Sequence, residues 1–449
     1  MTDAVTSASA AGALPPGRLE ERIADWKPRY EPGNALVEAN RCLYCEDAPC
    51  ITACPTAIPI PEFIRKIATG NTKGAARTIL KANILGYSCS RVCPVEELCA
   101  GACVYNHLHE PPIAIGRLQR YATEVILESG GLKGILAPNK AQTGKRVALV
   151  GGGPASLAAA ALLVQEGHEA VLFERDAFPG GLNTTGIAPY KMAAAAGLAE
   201  AQWILDLGVE LRANTPVSSG GEPGSVTPAA LLSGFDAVFL GLGIGGDKGL
   251  KVPGADGPGV VGATAIIAKI KTDPQFHLAG VRRALVIGGG NTALDIAHEL
   301  ALLLGPGGDV AMVYRKDEAA MTGYAHELAS ARKDGVRFVQ HHSPIAIERD
   351  GVGALVGGRF GTPNGEVVLP AELVVLAIGQ DKSTGGLARS FPGVELDGEG
   401  RVVVDPATHR TGNPKVWAGG DCVNGGKEVV NAAAEAKVAV ADMLAALAS

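Results

Sequence analysis

Three short runs of uninterrupted apolar residues stand out along the chain: Val147–Val150, Ala170–Phe173 and Ala284–Ile287. A fourth segment, Asp309–Tyr314, is similar in character behind its leading aspartate. Such runs, bounded by charge or glycine, predict strands buried on both faces. The first and third each lead straight into a glycine cluster and then an apolar helical stretch, Leu157–Glu166 in one case and a segment ending at Leu304 in the other. Strand, glycine turn, helix and strand in that order predict two βαβ units. The earlier part of the chain reads differently, with helix-like spacing over Pro61–Thr69 and Gly74–Asn83. Ala193–Ala201 predicts an amphipathic helix, and Val429–Leu447 an alanine-rich one near the end. Leu132–Gly144 reads as a linker and Ser218–Ser225 as a surface loop.

Composition sharpens this picture. At 449 residues the chain has room for two to four domains. Glycine supplies 60 of them, about twice the usual share of roughly 7%, which suits α/β domains with many tight strand-to-helix turns. A net charge of −6 argues against a nucleic-acid partner. No apolar run reaches the roughly 18 residues of a membrane span. Residues 1–16 lack the early positive charge and apolar stretch of an export signal and read as a disordered tail, so a cytoplasmic location is expected.

The glycine clusters carry chemistry. Gly151, Gly153, Pro154, Ala155 and Ser156 follow the first strand. The first glycine permits the sharp turn, the second lets a pyrophosphate approach the helix N-terminus, and the third place needs a small residue. Glu174 closes the next strand, where a carboxylate meets ribose hydroxyls. The second cluster is Gly288, Gly289, Gly290, Asn291 and Thr292. Its following strand ends in Arg315 and Lys316 rather than an acid, which suits a 2′-phosphate and thus NADP(H). The next turn brings Met321 and Thr322 rather than a further cation, which weakens that reading and leaves the choice between NADH and NADPH open.

Together with Arg175, Gly181, Leu182, Ala377, Gly379, Gly420 and Asp421, this pattern resembles the flavoprotein reductases with two dinucleotide-binding domains. The resemblance implies FAD and NAD(P)H as cofactors, with the NAD(P) domain inserted in the FAD domain. The expected fold class is α/β, two Rossmann-like domains behind an N-terminal α-helical iron–sulfur domain. The expected boundaries are 17–140 for the iron–sulfur domain, 145–275 for the first part of the FAD domain, 276–400 for the NAD(P) domain and 401–449 for the rest of the FAD domain. Disulfide chemistry is set aside, because Cys422 has no companion in that half. No acid–base or nucleophilic residue is required, since the cofactors carry the chemistry.

Eight of the nine cysteines lie between Cys42 and Cys103. They form two runs, Cys42, Cys45, Cys50 and Cys54, then Cys89, Cys93, Cys99 and Cys103, each with a Cys-Pro. Two such runs point to two [4Fe–4S] clusters, with the fourth cysteine of a run ligating the other cluster. Zinc knuckles would be spaced differently. The crossover groups Cys42, Cys45, Cys50 and Cys103, and leaves Cys54, Cys93 and Cys99 with an eighth ligand, which spacing alone would make Cys89. His107, His109, His326, His341 and His342 read as surface residues.

Cys42–Cys50, Asn83–Gly86, Val92–Pro94, Leu98–Cys99 and Ile115–Gln119 resemble the N-terminal part of dihydropyrimidine dehydrogenases. That resemblance implies Gln119 as the eighth ligand and Cys89 as a bystander. It also implies an electron-input subunit that oxidises NAD(P)H and serves a separate FMN-containing, pyrimidine-reducing catalytic subunit. This chain itself has no room for an FMN-binding barrel of ~250 residues. The small subunit of glutamate synthase has the same domain order and is the competing reading, followed by a stand-alone NAD(P)H:acceptor oxidoreductase.

Overall fold

A computed structural model describes residues 12–448. Most of the expected tail, residues 1–11, lies outside the described residues. The N-terminal unit is helical, built on Pro32–Asn40, Ile60–Ala68, Thr72–Ala82, Gly86–Val92 and Ile115–Gly130. Helix Ile60–Ala68 shows why. Ile60, Phe63, Ile64 and Ile67 recur at helical spacing and are all buried, each worth about 1.5–3 kcal/mol of burial. They pack with Ile79, Ile115 and Leu118. Asn71 caps Thr72–Ala82 by accepting the Gly74 N–H at 2.9 Å, which fixes that helix start.

The strands are β1 (Arg146–Val150), β2 (Glu169–Phe173), β3 (Glu210–Arg212), β4 (Ala237–Leu240), β5 (Val260–Gly262), β6 (Arg283–Ile287) and β7 (Asp309–Val313). They continue with β8 (Val336–Val339), β9 (Ser343–Arg349), β10 (Leu355–Thr362), β11 (Gly365–Pro370), β12 (Leu373–Leu376) and β13 (Val416–Ala418). One parallel sheet runs β13-β4-β1-β2-β3, and a second runs β5-β12-β6-β7-β8. The strand near the C-terminus thus returns to the first sheet, the inserted-domain order that the resemblance implies. An antiparallel sheet, β11-β10-β9, completes the second unit, and the apolar pattern gave no sign of it.

Three expectations need correction. The 275/276 boundary falls too late, because β5 pairs with β12 in the second sheet and helix Ala263–Thr272 packs in that sheet's core. The 400/401 boundary also falls too late, because Ala388, Phe391 and Val394 pack with Val150 and Val416 of the first sheet. Both segments join their units through packing that no local pattern reveals. The start of the linker is not loose, since Leu132 and Ile135 are buried.

The helical unit and the first sheet's unit share one core. Leu80, Leu85, Tyr87, Leu127 and Leu132 pack with Leu157, Leu163, Trp417, Val440 and Met443. Lys437, on helix Val429–Ala448, donates to the carbonyls of Thr56 (3.2 Å) and Ala82 (2.9 Å). Among the described residues, no helix is long and apolar enough to cross a membrane.

Candidate redox site

The thiols fall into two groups. Cys42, Cys45, Cys50 and Cys103 line one cavity of about 30 Å3, walled by Ile60, Ile64, Ile113 and Ile115. The residues come from two loops and the end of the second cysteine run, as the crossover predicts. Burial, with Cys42 and Cys103 nearby, pushes the Cys50 thiol up to about 11, and burial raises Cys42. Such thiols ionise only beside a cation, so iron would release their protons on binding. Among the described residues, no three Cys, His, Asp or Glu side chains converge on a single-ion site. Zinc would need four donors at ~2.0–2.3 Å, whereas thiols standing apart around an apolar hole suit a polynuclear cluster.

The second group is Cys54, Cys93 and Cys99, with Cys89. Cys93 bonds to Cys89 and feels Cys99 and Cys54, and these contacts with burial raise its thiol well above the ordinary range. Burial, then Cys54, pushes Cys99 up to about 12. Cys89 accepts a hydrogen bond from Asn83 Nδ2 at 3.2 Å. Gln119 is buried on helix Ile115–Gly130. Its Nε2 donates to the Gly86 carbonyl at 2.8 Å, and its Oε1 accepts no hydrogen bond among the described residues.

A second cavity, of about 720 Å3, lies between the two α/β units. The first glycine loop forms one wall. Gly151 has φ +91°, and a Cβ there would sit 2.5 Å from the Gly241 carbonyl, so only glycine fits. At Gly153 a Cβ would meet nothing within 4 Å. This open face precedes helix Pro154–Gln165, which has no side-chain cap. Its free N–H groups form an anion cradle fitting a pyrophosphate. Glu174 accepts from Gly152 N at 2.6 Å and Asp176 N at 2.8 Å, and burial raises its carboxyl. Pro154, Ala155, Arg175, Gly181, Leu182, Gly420 and Asp421 complete this wall. Burial pushes Asp421 up to about 6. Ser156 is buried below the loop against Gly241 rather than on the cavity, so its role is packing.

The opposite wall carries Asn291, Thr292 and Gly379. Asn291 opens helix Asn291–Leu304, which also lacks a side-chain cap. Gly288 approaches β12 so closely that a Cβ would sit 2.3 Å from the Ala377 carbonyl. Gly288, Gly289, Gly290 and Ala377 therefore shape the turn behind this wall. Arg315 and Lys316 lie exposed beyond the end of β7, outside the cavity lining. Asp317, next to them, is spent on accepting the Ala320 N–H. Glu318 pairs with Arg332.

The motifs left several lining residues unread. Lys191 is buried, 2.7 Å from Asp295 Oδ1 and 2.5 Å from Glu327 Oε1. Burial works against its charge, but the two carboxylates outweigh it and hold the ammonium well above its ordinary value. Tyr190 also donates to Asp295, at 2.9 Å. Tyr324 donates to Glu428 at 2.9 Å, joining the two walls. Asp295 belongs to the second glycine motif and was visible in principle. Lys191 and Glu327 come from other segments. Val92 and Pro94, which bracket Cys93, line this cavity too. Cys422 is buried, with its thiol on the Leu240 and Gly419 carbonyls.

Comparison with known proteins shows the family. Residues 19–131 match the family described as dihydropyrimidine dehydrogenase domain II, 4Fe-4S cluster. Residues 145–436 match pyridine nucleotide-disulphide oxidoreductase. The chain is 33% identical to the NAD-dependent dihydropyrimidine dehydrogenase subunit PreT of Escherichia coli O157:H7, covering 92% of this chain and 94% of that one. It is equally 33% identical to the glutamate synthase [NADPH] small chain of E. coli K12, over 94% of each. The thioredoxin reductase of T. acidophilum shares the fold, with a TM-score of 0.54 at 20% identity over 68% of this chain and 98% of that one. FAD, NAD(P)H and iron–sulfur clusters are thus the cofactors. The chain belongs to the pyridine nucleotide-disulphide oxidoreductase family, as an NAD(P)-dependent flavin and iron–sulfur oxidoreductase.

Proposed function

We propose that this chain is the electron-input subunit of a cytoplasmic, two-subunit dihydropyrimidine dehydrogenase. It takes two electrons from NAD(P)H and passes them through two [4Fe–4S] clusters to an FMN-containing partner that reduces uracil or thymine. The observation that carries this reading is the position of Val92 and Pro94. They bracket Cys93 at the wall of the nucleotide cavity, which supports the second thiol group as the first electron acceptor, with the group around the separate cavity of Cys42, Cys45, Cys50 and Cys103 as the exit. The bound flavin supplies the conversion from a hydride to single electrons. The chain's own residues hold and orient. The loop at Gly151–Ala155 holds one pyrophosphate, Glu174 faces ribose hydroxyls and Asp421 the ribityl chain. The loop at Gly288–Thr292 holds the nicotinamide dinucleotide. Cys42, Cys45, Cys50 and Cys103 hold one cluster, and Cys54, Cys93, Cys99 and Gln119 the other.

The glutamate synthase reading rests on the equal identity to that small chain. The test measures reduction of an artificial acceptor with NADH and with NADPH, and then of uracil after adding an FMN-containing partner co-purified from the source cells. Uracil-dependent oxidation of the dinucleotide supports the proposal. Activity with 2-oxoglutarate and glutamine in a large amidotransferase complex would transfer the chain to the competing reading. No acceptor reduction with either dinucleotide would refute both. Arg315 and Lys316 lie exposed beyond the end of β7, and comparing KM for NADH and NADPH decides which dinucleotide they accept.

A further inference from the structure

Glu327 offers an acceptor that its own protein leaves unused. It lies on helix Ala325–Lys333, is 7% exposed and lines the large cavity. Its Oε1 is committed to Lys191. Its Oε2 is buried and has no hydrogen-bond partner among the described residues. A buried acceptor without a donor is costly and is normally matched by protein, water or ligand. Asp295, its neighbour across Lys191, is engaged differently, because its Oδ1 takes both the Tyr190 hydroxyl and the Lys191 ammonium.

The place of this orphan is informative. Asn291 and Thr292, at the start of the helix that cradles the nicotinamide dinucleotide, line the same cavity. Asn291 Oδ1 accepts the Tyr324 N–H at 3.0 Å, so the segment leading into Glu327's helix is tied to that cradle. The reactive end of a dinucleotide held there would enter the cavity, and its carboxamide carries an N–H donor. Burial, then the Asp295 charge, pushes Glu327 up to about 7 against the pull of Lys191. We infer that Glu327 is a positioning residue that accepts the nicotinamide carboxamide N–H and sets the ring's orientation over the flavin. The inference rests on the NAD(P)H reading above and names a residue that the glycine motifs do not reach.

The test is equilibrium binding to the flavin- and cluster-loaded chain, without turnover. The ligands are NAD+ and its 3-acetylpyridine analogue, in which a methyl replaces the amide NH2. The native chain is expected to bind NAD+ about tenfold more tightly, the effect of one hydrogen bond to a charged group. Glu327→Ala should lose this preference while leaving the analogue's Kd within about twofold, with Glu327→Gln in between. Equal binding of the two ligands by the native chain would overturn the inference without any variant. Equal weakening of both ligands in Glu327→Ala would also overturn it, since that marks a merely structural role. If the native chain bound neither ligand, nor NADP+, the functional reading itself would fall with it.

Discussion

Gln119 and Cys89 pose the sharpest question at the scale of single residues. The Cys89 thiol is already used, by the Asn83 amide and by Cys93. Gln119 is held by its Nε2 on the Gly86 carbonyl at 2.8 Å, and its Oε1 accepts no hydrogen bond among the described residues. Gly116, one turn earlier on the same helix face, lets the helix lie close against the second cysteine run: a Cβ there would touch Val95 at 3.0 Å. Gln119 is thus held by its amide nitrogen on the helix face that meets that run. Counting clusters by EPR after reduction should show one cluster lost in Gln119→Ala and both retained in Cys89→Ala. The opposite pattern would make Cys89 the ligand.

At the scale of elements, the helix that carries Cys89 and leads into Cys93 has no cap of its own. Glu200, on helix Ala194–Leu205, supplies one from the neighbouring unit. It accepts the N–H groups of Tyr87 and Ser88, each at 3.1 Å, and the Ser88 hydroxyl. Replacing it with alanine strands buried donors and should cost about 3 kcal/mol. Burial outweighs these bonds and pushes Glu200 up from 4.5 to about 7. The folded chain therefore keeps a proton that the unfolded chain has lost. The stability this contributes is full below about pH 4.5 and is lost as pH rises through 7. Between about pH 5.5 and about pH 8, the native melting temperature should fall relative to that of Glu200→Gln, and parallel curves would contradict the assignment.

The same scale shows what could be read from the chain alone. The strands beside Gly151 and Gly288 were legible because buried strands, tight turns and helices follow one another within thirty or so residues. That Cys42, Cys45, Cys50 and Cys103 meet around one cavity was legible in the spacing of the two cysteine runs. β5 was not, since the three residues Val260–Gly262 carry no period, and only pairing with β12 assigns them. Nor was the charge network, because Lys191, Asp295 and Glu327 meet only after three distant segments pack together.

At the scale of the whole molecule, one element ties the electron path together. Helix Val429–Ala448 begins beside Glu428 at the nucleotide cavity. It buries Ala433, Ala436, Val440 and Met443 in the core shared by the helical and first-sheet units, and reaches the cysteine-bearing segments through Lys437. Units that share a core cannot open without exposing it, so they unfold together. This makes the separation between nucleotide cavity and thiols a fixed property of the fold rather than the outcome of a swinging domain. Heating the loaded protein without oxygen should release flavin and bleach the cluster absorbance in a single transition. Met443→Ala removes a fully buried side chain from the shared core at a cost of about 2–5 kcal/mol. It should lower both signals by the same number of degrees although it touches neither cofactor site. Two transitions more than about 5 °C apart, or a shift in the flavin signal alone, would show that the cluster unit folds and moves independently, and the rigid path would have to be abandoned.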